Sequence, residues 1–166
     1  MDFIQHSLNW CKGEFFEAKL ILTFGIGVII IAILFYTWGN TPSAKAMLFP
    51  LLVVGLMFSI IGGGMLYSNP KRMVEFQKAC EENPTAFIKS EKARVDEFIS
   101  WYPKTRYIMA GLALIGLACF LFWATPIGRA IGIALILMAL ATFVVDHFSE
   151  ERAKIYHKEI VKALEK

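Results

Sequence analysis

The long apolar stretches of this sequence contain no ionisable residue. No Asp, Glu, Lys, Arg or His falls within Leu20–Ala44, Ala46–Pro70, Tyr107–Gly128 or Ala130–Val145. Charged residues make up only 19% of the chain, against about a quarter in ordinary soluble domains. Proton-coupled transport usually runs through a carboxylate or histidine inside the membrane, so that class loses weight. Cysteine is scarce: Cys11, Cys80 and Cys119 share no close spacing, which argues for free thiols and against a disulfide framework. Catalytic motifs are also missing. Gly25-x-Gly27 has no strand before it and lies inside an apolar run, which rules out a phosphate loop. There is no recognisable Ser/His/Asp or Cys/His arrangement, and nothing reads as strand or as low-complexity linker.

What the sequence does have is apolar length. Hydrophobic residues are 57% of the 166. A bilayer core of roughly 30 Å takes about 20 residues at 1.5 Å each, so the first three runs are long enough outright. The fourth is short, and Arg129 at its outer end lengthens it by extending its stem toward the headgroups. The expected fold is an all-α integral membrane protein with four transmembrane helices, at about 20–40, 46–68, 106–124 and 127–146. Amphipathic cytoplasmic helices accompany them. A cleaved signal peptide fits the first run poorly, because 19 residues of amphipathic character precede it and no small-residue site closes it.

Orientation follows from the basic residues. Of 17 Lys and Arg, only Lys45 and Arg129 sit in the two short hairpin loops. The remaining 15 share the other side with all 14 acidic residues. Basic residues accumulate on the cytoplasmic side, which places both termini and the central loop inside, in a cytoplasmic (inner) membrane. The inner side then carries a net charge of only +1, no basis for nucleic-acid binding. The lipid bilayer is the first expected partner.

Along the chain, residues 2–19 place Phe3, Ile4, Leu8, Cys11, Phe15 and Phe16 near one face, with Asp2 as N-cap. This predicts an amphipathic helix lying at the inner interface, with Trp10 at headgroup depth. Trp38, Trp101 and Trp123 are further interfacial anchors. The hairpin turns at Trp38-Gly-Asn-Thr-Pro42 and Trp123-Ala-Thr-Pro126. After Asn69-Pro70 a separate helix is expected at about 71–82, then another from Asn83-Pro84 to about 101, stopped by Tyr102-Pro103. Residues 147–166 form a last amphipathic helix.

An internal period is also present. Thr41-Pro42-x-x-Lys45-Ala46 recurs as Thr125-Pro126-x-x-Arg129-Ala130, a shift of 84. Glu75, Lys78, Ala79 and Glu81 recur at the same shift as Glu159, Lys162, Ala163 and Glu165. The pattern reads as a parallel tandem duplication of a two-span unit, 1–83 and 84–166.

The densest chemistry-bearing cluster is Asp146-His147-x-x-Glu150-Glu151-x5-His157. Imidazole with carboxylate binds zinc or iron, which makes His147, Glu150, Glu151 and His157 candidate metal ligands. No ExxH pair accompanies them, and the plainer reading is a solvated helix face with Glu150–Lys154 and Glu151–Lys154 pairs. His6, Glu14 and Glu17 are a second candidate ligand set. Gly62, Gly63 and Gly64 serve either close packing or a hinge, packing being favoured. Gly128 and Gly132 have the spacing of a helix-association motif. No cofactor is assigned.

The expected function is that of a non-enzymatic membrane interaction protein, an accessory, regulatory or protective subunit, either homo-oligomeric or bound to a second membrane protein. One alternative is a small oligomeric channel or transporter lined by Thr23, Ser59 and the glycines. The other is a membrane enzyme using the inner-face His/Glu cluster.

Overall fold

The structure, a computed structural model, describes residues 3–165. Asp2, the expected N-cap, lies outside them. The described residues form five helices: α1 (Phe3–Trp38), α2 (Pro42–Ala46), α3 (Leu48–Glu82), α4 (Pro84–Phe122) and α5 (Pro126–Leu164). Four helices are long and apolar enough to cross a membrane, with α2 and α3 taken together as one.

The helix starts follow from local capping chemistry. Thr41, Asn83 and Thr125 each accept a hydrogen bond from the backbone N–H three residues on, at 3.2, 3.0 and 3.2 Å. Each is followed by a proline at the first helical position, where a missing N–H costs nothing. Pro50 has no N–H to offer the Ala46 carbonyl, which accounts for the interruption at Met47 between α2 and α3.

The helices are longer than expected. The 36 residues of α1 span about 54 Å, well beyond a roughly 30 Å hydrocarbon core. Segment 3–19 continues into the apolar run without a break, and residues 147–164 likewise continue α5. The breaks expected after Asn69-Pro70 and at Tyr102-Pro103 do not occur: α3 runs through Pro70 and α4 through Pro103. An internal proline costs a helix about 3 kcal/mol. Here the residue before each one is anchored. Asn69 is buried, and Tyr102 is buried with its hydroxyl donating to Ser149 of α5 at 2.9 Å.

The helices pack chiefly as two antiparallel hairpins, α1 with α3 and α4 with α5. In the first, Gly25 and Gly55 face each other. A Cβ at Gly25 would stand 2.7 Å from the Gly55 carbonyl oxygen, and one at Gly55 would stand 2.8 Å from that of Gly25. In the second, Gly116 and Gly132 are related in the same way.

Two cores follow. At the charged end all four long helices contribute: Trp10 and Cys11, Phe76, Phe87 and Val95, Tyr156 and Ile160. Along the apolar lengths only α1, α3 and α5 do, through Ile21, Val28, Ala32, Leu51, Val54, Phe58 and Ala134. Over the apolar length of α4, Gly116 alone is buried.

Candidate functional site

The buried positions of α1 recur every three or four residues: Ser7, Cys11, Glu14, Ala18, Ile21, Gly25, Val28 and Ala32. That stripe carries Glu14, with Glu17 beside it, into the protein. From α5, Arg152 reaches across to both. Its guanidinium donates to Glu14 at 3.0 Å and to Glu17, and its stem crosses α1 at Gly13, where an added Cβ would stand 3.0 Å from Arg152 Cδ. Both carboxylates are buried, while the Arg152 side chain keeps 29% of its surface. Burial pushes the Glu14 carboxyl above its ordinary range, and the Arg152 charge opposes that rise.

A second polar layer lies toward the charged tip. Arg94 donates from two nitrogens to the two oxygens of buried Glu91, at 2.8 and 2.7 Å, and its guanidinium lies 4.5 Å from the centre of the Trp10 ring. The Tyr156 hydroxyl donates to Glu91 at 2.9 Å and is hydrogen-bonded to Ser7 at 2.8 Å. Burial, and then the Glu91 charge, raises the Tyr156 pKa. Burial also pushes the neighbouring Cys11 thiol up to about 11, which keeps it a neutral, unreactive core group.

The candidate metal ligands are distributed differently from the sequence expectation. Glu150 is buried and engaged by Arg106 and, at 2.7 Å, by Lys154. His157 turns to Asp96 of α4 at 2.7 Å. The same carboxylate takes a 2.5 Å bond from Lys92, and with these donors its pKa is lowered, Lys92 contributing most. His147 is exposed beside Phe148, and Glu151 is exposed. His6 faces Glu159 at 3.7 Å, while Glu14 and Glu17 are taken by Arg152. Among the described residues no three His, Cys, Asp or Glu side chains converge as a metal-ligand group.

The glycine triplet splits in use. A Cβ at Gly62 would stand 2.5 Å from the Leu22 backbone nitrogen, whereas Gly63 and Gly64 have open space. Gly132 packs on α4, and Gly128 gives room to the Trp123 ring, so this pair is spent on contacts within the chain. Trp10 is withdrawn into the bundle core, stacked on Tyr156 at 5.5 Å, where it meets protein on both faces. Trp38, Trp101 and Trp123 are exposed.

In the sequence alone nothing but position marks Arg152, Glu91, Arg94 and Tyr156 as centres of a network. Arg152 and Tyr156 fall one helical turn apart, in step with buried Ser149, Ala153 and Ile160.

On the apolar side of the Arg152 clasp a crevice of about 510 Å3 opens between α1 and α5. The arrangement as a whole is a set of paired charges locking four helices at one end, above a lateral apolar opening. Comparison of the chain with family models, curated proteins and solved structures finds no match.

Proposed function

We propose that the chain is a non-enzymatic membrane interaction protein, an accessory, regulatory or protective subunit of a membrane assembly. It sits in a cytoplasmic (inner) membrane with both termini and the charged bundle inside, a reading supported by the distribution of Lys and Arg. It is built as a tandem duplication, each unit a helical hairpin whose return helix starts at a Thr-Pro cap.

The observation that carries this reading is the apolar length of α4. It is held to the rest of the protein by the close glycine crossing with α5, and it leaves Tyr107, Ile108, Leu114, Ile115 and Phe122 exposed. At its charged end the same helix is packed into a four-helix core through Phe87 and Val95. The bundle therefore holds α4 in place while its flank stays open in the membrane, an arrangement suited to side-on packing with another membrane helix. The functional machinery is a surface under this reading, and the buried ion pairs keep that surface in position.

Native mass spectrometry after release in a mild detergent tests it. The expected result is a stoichiometric complex, with a second membrane protein or with further copies of the chain, lost on Leu114→Arg or Ile115→Arg. Repeated recovery of the monomer alone would sink the reading.

A further inference from the structure

The crevice between α1 and α5 has chemistry of its own. Its walls include Leu20, Phe24, Phe58, Ala141 and Val145, and Phe16 and Phe148 stand exposed beside it. Only two of its lining residues are charged, Glu17 and Arg152, and they are joined to each other at the charged end of the opening. Arg152 is also a wall of a smaller cleft of about 290 Å3. One guanidinium thus separates the apolar crevice from a mixed cleft, in which His6, Asn9 and Glu159 stand beside Trp10, Ile155 and Tyr156. The crevice itself suits an amphiphile, with the tail along its apolar walls and the head at the Arg152–Glu17 pair.

We propose that this crevice binds one phospholipid of the surrounding bilayer, an acyl chain lying between α1 and α5 and a zwitterionic headgroup meeting Arg152 and Glu17. The tail by itself gains little, because it leaves one apolar medium for another. Selectivity therefore rests with the headgroup. Arg152 spends one terminal nitrogen, Nη2, on two carboxylates, and 29% of its side chain stays exposed. A phosphate oxygen is the complementary acceptor. Two carboxyl groups already engage the guanidinium, so a zwitterionic headgroup that brings its own cation is better matched than one with only negative charge. A phosphoethanolamine brings its own ammonium for Glu17. The volume also falls in the roughly 300–1,000 Å3 range of small-molecule sites.

The test uses the full chain in nanodiscs of equal phosphatidylethanolamine and phosphatidylglycerol, followed by native mass spectrometry of the lipid it retains. One retained phospholipid per chain is expected, with the ethanolamine lipid favoured several-fold. Ala141→Trp, which fills the crevice, abolishes retention, while Val53→Trp, at an exposed position of α3 outside the crevice, leaves it unchanged. Arg152→Lys keeps the charge but lacks the planar guanidinium fork, and it lowers retention. No retained lipid, a preference for the glycerol lipid, or full retention by Ala141→Trp would each overturn the proposal. A photoreactive acyl chain supplied to the wild-type protein gives a reading that depends on no variant. Crosslinks concentrated at Leu20 and Val145 support the site, and crosslinks spread evenly over α4 overturn it. The outcome is independent of the protein-partner reading, since a monomer carrying one lipid would keep this proposal and remove the other.

Discussion

The hydroxyls of Tyr156 and Ser7 lie 2.8 Å apart although 149 positions separate them in the chain. The same phenol donates to Glu91, so a single oxygen ties α5 to α1 and α4 at the centre of the charged end. Around it Phe3, Trp10 and Tyr156 stack, and Phe76 meets Phe87 edge-on. The bundle thus combines apolar burial with directional bonds that allow one helix register.

Tyr156→Phe separates those contributions. The ring keeps its stacking on Trp10, and Glu91 keeps both bonds from Arg94. What is lost is one hydroxyl in a buried network, for which about 1–3 kcal/mol is the usual cost. Thermal unfolding in mild detergent should show a lower Tm with unchanged helix content.

Arg152→Met leaves the buried Glu14 and Glu17 carboxylates without their cation. Breaking a buried pair from one side costs up to about 3–5 kcal/mol, less to the extent that the 29% exposure of Arg152 already screens it. Adding Glu17→Gln to that variant should recover part of the loss. If the single variant unfolds at the wild-type temperature, the clasp contributes nothing to stability.

Glu14 predicts a pH dependence of definite sign. Its folded pKa is raised above the unfolded value, so the folded state binds this proton more tightly. Its contribution to stability is therefore greatest below the usual carboxylate pKa and declines as pH rises through the raised value. Relative to Glu14→Gln, the wild-type Tm should be most favourable near pH 4 and least favourable near pH 8. A difference that stays flat, or grows with pH, would contradict the assignment.

The glycines of α3 should divide by position. At Gly55 a Cβ would stand 2.6 Å from Ile29 Cγ1 and 2.8 Å from a backbone oxygen, so Gly55→Ala forces the hairpin apart at about 1–3 kcal/mol. At Gly64 nothing lies within 4 Å, and Gly64→Ala should be neutral or stabilising by up to about 1 kcal/mol. Paired unfolding curves check both.

Much of the outline was legible in the sequence. The charge-free runs mark the four long apolar helices, the two Thr-Pro turns mark the hairpin ends, and Asn83 before proline marks a helix start. The same rule misled at Asn69-Pro70 and Tyr102-Pro103, because a proline's effect depends on whether its neighbours are anchored elsewhere. The sequence places Trp10 among the headgroups, where amphipathic rings usually sit. Its place in the core depends on Tyr156 and Arg94 arriving from two other helices. The His147–His157 cluster looked dense in sequence, but Arg106 and Asp96 on α4 draw its members in different directions.

By itself the sequence determined how many helices are long and apolar enough to cross a membrane, where the turns between the paired spans lie and which end carries the charge. Those are local properties, set by run length against bilayer thickness and by hydrogen bonds spanning three or four residues. Only the tertiary structure decided which charges are buried, which prolines are absorbed and where a crevice is left open. Those outcomes depend on contacts such as Arg152 with Glu14, 138 positions apart. Whether a buried carboxylate is tolerable depends on what the facing helix presents, and the order of residues along one helix does not contain that.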